Sequence, residues 1–284
     1  MAGTVNIASI LTVRLDRSTK HLFGPISHGP LAELILYGQV KRRCANYSLP
    51  EAMIPDWLTD LSIASLCLAA LCGLVIAIDE ITHTQRMWIM DIVWPITALF
   101  AGPLIVWLYF RYGRQPHGAS GGVEKPFSAV AAIGALHCGA GCCLGDMIAE
   151  WLCFLVPGIA VAFGFTTLFD DKFYAVWIVD FIFAFALGIL FQYFTIAPMH
   201  HLSANAGLKR AVQADFLSLT AWQIGMYGFM AFAQLYLFKT LLGTELDAKT
   251  PVFWFMMQIA MIVGFIVSYP VNWWLIRSGI KEEM

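Results

Sequence analysis

Six stretches of the chain stay apolar for about 20 residues or more, the length a helix needs to cross the hydrocarbon core of a bilayer. They cover residues 57–78, 88–110, 127–156, 174–199, 211–238 and 252–276. Trp57, Trp88, Tyr109, Trp151, Tyr174 and Trp254 stand near their ends, where amphipathic rings settle at the headgroup level. Only 13% of the residues are charged, against about 25% in soluble domains. A water-soluble fold of this composition would be left with extended apolar surface. The expectation is an all-α integral membrane protein, one bundle of six transmembrane helices in a lipid bilayer.

Residues 1–56 differ from the rest. They hold six of the seventeen Lys and Arg residues, contain no long apolar run, and are punctuated by Gly24-Pro25, Gly29-Pro30, Pro50 and Pro55. They read as a cytoplasmic extension ahead of a membrane domain at 57–284. A six-span arrangement puts thirteen Lys and Arg on the side of both termini and leaves Arg86, Lys172, Lys239 and Lys249 on the other. The positive-inside rule then places both ends in the cytoplasm of a cell with an inner membrane. Net charge is −2, and no basic stretch interleaved with aromatics occurs, so no nucleic-acid partner is expected.

The third span is longer than a crossing requires. Gly139, Gly141 and Gly145 suggest a broken helix of the kind transporters use at their sites. Pro157-Gly158 would end it, leaving 159–168 as a re-entrant or interfacial piece. Two crossings within 127–168 would instead give seven spans.

Candidate chemistry concentrates in that same span. The run from His137 and Cys138 through Cys142 and Cys143 to Asp146, with Glu150 and Cys153 following, is the densest set of ligand-forming side chains in the chain. On a helix, positions 138, 142, 146 and 150 advance about 40° per step, so Cys138, Cys142, Asp146 and Glu150 form one stripe. Thiolate and imidazole suit Cu(I), zinc and similar ions. At i, i+4 spacing, two thiols can converge on one ion. The metal-site candidates are therefore Cys138, Cys142 and His137, with Cu(I) favoured because the other spans offer thioethers. The competing view is that Cys here is one more small residue in a closely packed Ala- and Gly-rich helix. That view leaves His137, Asp146 and Glu150 unexplained, since ionisable groups inside a span are costly. Asp146 is accordingly expected to face the bundle interior.

Further polar and soft groups extend the set. Asp91 lies in the second span and Asp180 in the fourth. Met226 and Met230 form an i, i+4 pair in the fifth span, as do Met257 and Met261 in the sixth, and Met199-His200-His201 closes the fourth. Together they suggest a ladder of soft ligands from one face to the other, although methionine is also a common gap-filler. Seven cysteines, an odd number, with six inside apolar segments argue against a disulfide framework. Phosphate-binding, dinucleotide-binding and nucleophile-elbow motifs are absent.

Several strings are specific enough to name a relationship. Met87–Pro95 (MWIMDIVWP), His137–Cys142 (HCGAGC), Gly145–Trp151 (GDMIAEW), Phe191–Pro198 (FQYFTIAP), Ser218–Met226 (SLTAWQIGM) and Tyr269–Trp274 (YPVNWW) resemble the bacterial membrane family filed as domain of unknown function 4396. The resemblance runs over about 87–284. It implies a bacterial polytopic inner-membrane protein and carries no activity with it.

Three functions fit these residues. One is a soft-metal protein, engaged in transport or delivery, with the ion held at mid-membrane. Another is a thiol-redox or haem-holding membrane enzyme that uses the cysteines or His137, His200 and His201. The third is a scaffold without chemistry, working through a membrane-protein partner or a second copy of itself.

Overall fold

The computed structural model describes residues 54–85, 87–115 and 125–283. The 1–56 extension therefore lies almost wholly outside the described residues. The elements are helical throughout: α1 (Asp56–Thr82), α2 (Met90–Ala101), α3 (Pro103–Leu108), α4 (Phe127–Leu155), α5 (Gly158–Ala162), α6 (Lys172–Met199), α7 (Ala204–Ala231) and α8 (Pro251–Arg277). A π-helical turn, Tyr109–Gly113, prolongs α3, and another, Phe232–Leu242, prolongs α7. Among the described residues, five helices are long and apolar enough to cross a membrane: α1, α4, α6, α7 with its extension, and α8.

The centre of the bundle is α4. In its most apolar window 78% of residues are buried, against 28% for α1. Small side chains are the reason. A Cβ added at Gly141 would stand 2.5 Å from the Gly188 Cα, and one at Gly145 would collide with the Ala184 backbone. Helices α4 and α6 therefore touch backbone to backbone. On an adjacent face the Trp222 ring of α7 fills the space that a side chain at Gly139 would take. The glycines of the third span thus serve close packing, and α4 runs from Phe127 to Leu155 without a break. After it comes α5, five residues long, so 127–168 contributes one long helix and one short one.

Helix α4 runs antiparallel to α6, and α7 antiparallel to α8, as the cross-contacts show. Gly141 meets Gly188 while Gly145 meets Ala184, and Trp222 bonds Met261 while Ser218 reaches Asn272. The first residues of α4, the last of α6 and the last of α8 therefore share one end of the bundle, called here the tail side. Lipid-facing surface is plain on α1, where Leu61, Leu68, Leu71, Leu74, Ile78 and Ile81 are all exposed.

The second apolar stretch departs from expectation. Residues 90–113 form a hairpin and not one through-going helix. Gly102 breaks the chain at φ 49°, ψ −124°, a conformation that favours glycine, and Pro103 starts the return helix. The two arms lie side by side, since the Trp94 and Tyr109 rings meet edge to face at 5.6 Å. Both ends come back to the same place. Tyr109 donates to Asp79 Oδ2 at 2.9 Å, and Arg114 grips the Asp79 carboxylate through Nε at 2.9 Å and Nη2 at 2.8 Å. At the other end the backbone N–H of Gln85 donates to Asp91. The tip reaches the middle of the bundle, where the Leu99 carbonyl accepts from Gln258 and Phe100 packs on Trp222. Asp79 is the anchor of this hairpin. Backbone that reverses inside a membrane is tolerated where protein buries it, and Val93, Trp94, Thr97, Ala98 and Phe100 are all buried.

Candidate functional site

Where the hairpin tip meets α1, α4 and α8, a cavity of about 180 Å³ remains. Its lining joins Cys143, Asp146 and Met147 of α4 to Met257 and Met261 of α8, with Phe100 and Leu99 from the tip. Four sulfur atoms and one carboxylate thus border a single apolar chamber. The placement follows from helix geometry. Residues 143, 146 and 147 share one face of α4, and 257 and 261 share one face of α8, at the i, i+3 and i, i+4 spacings that bring side chains together. Asp146 is wholly buried, as the cost of a lipid-facing carboxylate requires. Neither of its oxygens closes a hydrogen bond of good geometry, although the Gln223 amide lies close by.

One turn further along α4, Glu150 borders a larger cavity of about 470 Å³ on the side away from the tail. Asp170, Asp171, Glu245 and Asp247 share its wall with Lys172 and Lys239. Acids outnumber bases here, so the vestibule attracts cations. Asp180 of α6, which has Glu150 and Asp146 as electrostatic neighbours, is wholly buried and without a hydrogen-bond partner on either oxygen.

On the tail side of α4 stands a second group of polar residues. After α8 the chain turns back through Gly279 at φ 72°, and the backbone N–H groups of Ile280 and Lys281 both donate to the Leu275 carbonyl. The turn aims the Lys281 side chain into the bundle. Its ammonium meets Asp215 Oδ1 at 2.7 Å, Asn272 Oδ1 at 2.8 Å, Cys138 Sγ at 2.9 Å and the Gly134 carbonyl at 3.0 Å. Ser218 donates to Cys138 Sγ at 3.0 Å, and Asn272 donates to Ser218 at 2.6 Å and to Ser268 at 2.8 Å. Both Lys281 and Asp215 side chains have no solvent exposure.

The residues predicted from sequence divide among these places. Cys138 belongs to the Lys281 group, while Cys143, Asp146, Met257 and Met261 line the central chamber and Glu150 the vestibule. His137 is fully buried, with Thr195 at 3.5 Å from Nε2 and an edge contact to Phe191. Cys142, Met226 and Met230 are buried in the core. Asp91 caps the mouth of the hairpin beside Glu80, on the tail side, away from Asp146 and Asp180. Met199, His200 and His201 are exposed at the end of α6, where His200 pairs with Glu282 at 3.0 Å. Among the described residues, no three His, Cys, Asp or Glu side chains are grouped to hold a metal ion. The central chamber reaches its donor number only through thioethers. Sequence reasoning passed over Lys281, Ser218, Ser268 and Met147. Asp215 and Asn272, polar residues inside apolar helices, were the available signal for the tail-side group.

No curated protein and no solved structure matches the chain. Residues 129–281, which span α4 to the Lys281 turn and include every residue of the tail-side group, match a family described as a domain of unknown function. The string Met87–Pro95 lies before the matched region. The match covers more than half of the 284 residues, and the chain belongs to the DUF4396 family.

Proposed function

We propose that this protein carries a soft monovalent cation of the Cu(I) class into or across the membrane, with the chamber at the hairpin tip as its binding site. The observation that supports this reading most is the lining itself: one thiol, three thioethers and one carboxylate around about 180 Å³. Thioether and thiolate sulfur prefer Cu(I) over harder or more oxygen-seeking ions. A buried carboxylate whose oxygens close no hydrogen bond of good geometry supplies the compensating charge that a cation needs in an apolar chamber. The acidic vestibule and Glu150 offer a route to it, and a hairpin ending at mid-bundle is the kind of irregular backbone that lines binding sites in transporters.

Elemental analysis of anaerobically purified protein supplied with Cu(I) tests the reading. Wild type is expected to retain stoichiometric copper, and the variant Cys143→Ser with Met257→Leu and Met261→Leu to lose it. The variant Cys138→Ser with Cys142→Ser is expected to keep it. The reverse pattern would move the site one turn along α4 to the thiol pair. A wild-type protein that retains no copper would end the reading.

The same proposal carries a topology. With the 90–113 hairpin returning to Asp79, the described residues cross five times, and the start of α1 and the end of α8 lie on opposite faces. Among the described residues, Arg111, Arg114, Lys125, Lys209, Arg210, Arg277 and Lys281 then share the tail side. Opposite them are Lys172, Lys239 and Lys249. The balance favours a cytoplasmic tail side and an outward-facing vestibule. Reporter fusions at Gly118 and Met284 should read cytoplasmic and those at Thr244 and the N-terminus periplasmic. A cytoplasmic reading at both termini would restore six crossings.

A further inference from the structure

The group around Lys281 has more acceptors than its ammonium has hydrogens. Three N–H bonds face four acceptors, the Asp215 carboxylate, the Cys138 sulfur, the Asn272 amide oxygen and the Gly134 carbonyl, all within 3.0 Å. The second Asp215 oxygen is buried with no hydrogen-bond partner. Such a shell resembles the coordination of a free cation more than the pairing of one side chain with one counter-charge. It is assembled from α4, α7 and α8, all of which remain without Lys281. The amine arrives from outside the bundle on the reversed segment after Gly279. On the surface, that segment is held by the pair of Glu282 with His200, whose side chains are 40% and 36% exposed. Surface pairs of this kind hold a segment weakly, with about 0–1 kcal/mol each.

We propose that Gly134, Cys138, Asp215 and Asn272 form a binding site for one small monovalent cation, and that Lys281 occupies it as a tethered ion. A mobile cation and the Lys281 ammonium are then alternatives. Either one neutralises Asp215, and exchange between them avoids leaving a buried charge alone. On the cation-path reading given above, which this inference deepens, the site is the last station before the tail side, and Lys281 is the group a travelling ion must displace.

The experiment uses full-length Lys281→Ala in detergent, with thermal stability followed as methylammonium, sodium or tetramethylammonium chloride is added at matched ionic strength. The variant is expected to melt below wild type and to regain about 5–10 °C, saturably, with methylammonium at a hundredfold excess over Kd. Tetramethylammonium, equally charged but too bulky for the space of one amine and without an N–H to donate, should give nothing. The double variant Asp215→Asn with Lys281→Ala should not respond to either. Equal responses to methylammonium and tetramethylammonium, or no response to methylammonium or sodium, would overturn the proposal. If the single variant cannot be purified, hydrogen exchange of residues 278–283 in wild type decides. Faster exchange with methylammonium than with tetramethylammonium supports displacement of Lys281, and unchanged exchange refutes it. Copper retention by wild type depends on the central chamber, so its loss there and a failed rescue here separate the two claims.

Discussion

Asp215→Leu is expected to cost about 3–5 kcal/mol of stability, because it strands the Lys281 ammonium in the bundle with no counter-charge. Lys281→Met should cost a similar amount by stranding the carboxylate. The double change Asp215→Leu with Lys281→Met removes both charges, and similar apolar replacements of buried pairs are often neutral or stabilising. The double variant should therefore lie well above either single one. Reversible unfolding in mixed micelles, with all four proteins in one double-mutant cycle, gives the coupling directly. Single variants that lose less than about 1 kcal/mol would mean that the pair is solvated in the membrane-embedded protein, since exposed pairs are worth about that much.

The second large effect belongs to the α4–α6 contact. Gly145→Val should destabilise by about 3 kcal/mol or more, at the upper end of what overpacking costs. The atoms in the way are the Ala184 backbone, which cannot swing aside as a side-chain end can. Gly228→Val is the control, since a Cβ there meets nothing within 4 Å. The same unfolding assay should show Gly228→Val close to wild type once helix propensity is allowed for, which costs a fraction of a kcal/mol. Equal losses at the two positions would mean that α4 and α6 separate in the folded protein.

Much of this architecture is legible in the amino-acid sequence because membrane helices announce themselves by length and apolarity. The helices over 56–82, 172–199 and 251–277 fall within a few residues of the stretches read as spans. The small-residue reading of the third span holds in detail, with Gly139, Gly141 and Gly145 each facing a close neighbour. The hairpin was hidden because hydropathy is blind to direction. A run that goes in and comes back is as apolar as one that goes through. The Gly102-Pro103 pair, a strong turn signal in a soluble chain, lies inside that run and leaves its apolarity unbroken. On the five-crossing topology proposed above, Asp91 lies on the tail side, and the thirteen-to-four split of basic residues no longer applies.

At the candidate site the sequence gathers the candidate residues on α4 and does not say how they are shared out among its neighbours. Periodicity puts Cys138, Cys142, Asp146 and Glu150 on one stripe. It says nothing of which neighbour each one meets. Cys138 meets a lysine that follows the last helix, and Asp146 meets methionines 111 and 115 positions later in the chain. Lys281 in particular looked like an ordinary flanking charge of the positive-inside kind. Only the reversal at Gly279 turns it inward.

That reversal also bears on the order of synthesis. Asp215 reaches the bilayer with α7, and the chain must still add the π-helical extension, a loop and the whole of α8 before Lys281 exists. For that interval an acidic residue sits in an apolar helix with its counter-ion unmade, a costly state for any inserting segment. Closure of the tail-side group is therefore among the last steps in making the bundle. A chain halted after α8 but before Lys281 would contain all five long helices and still lack the cation that joins three of them.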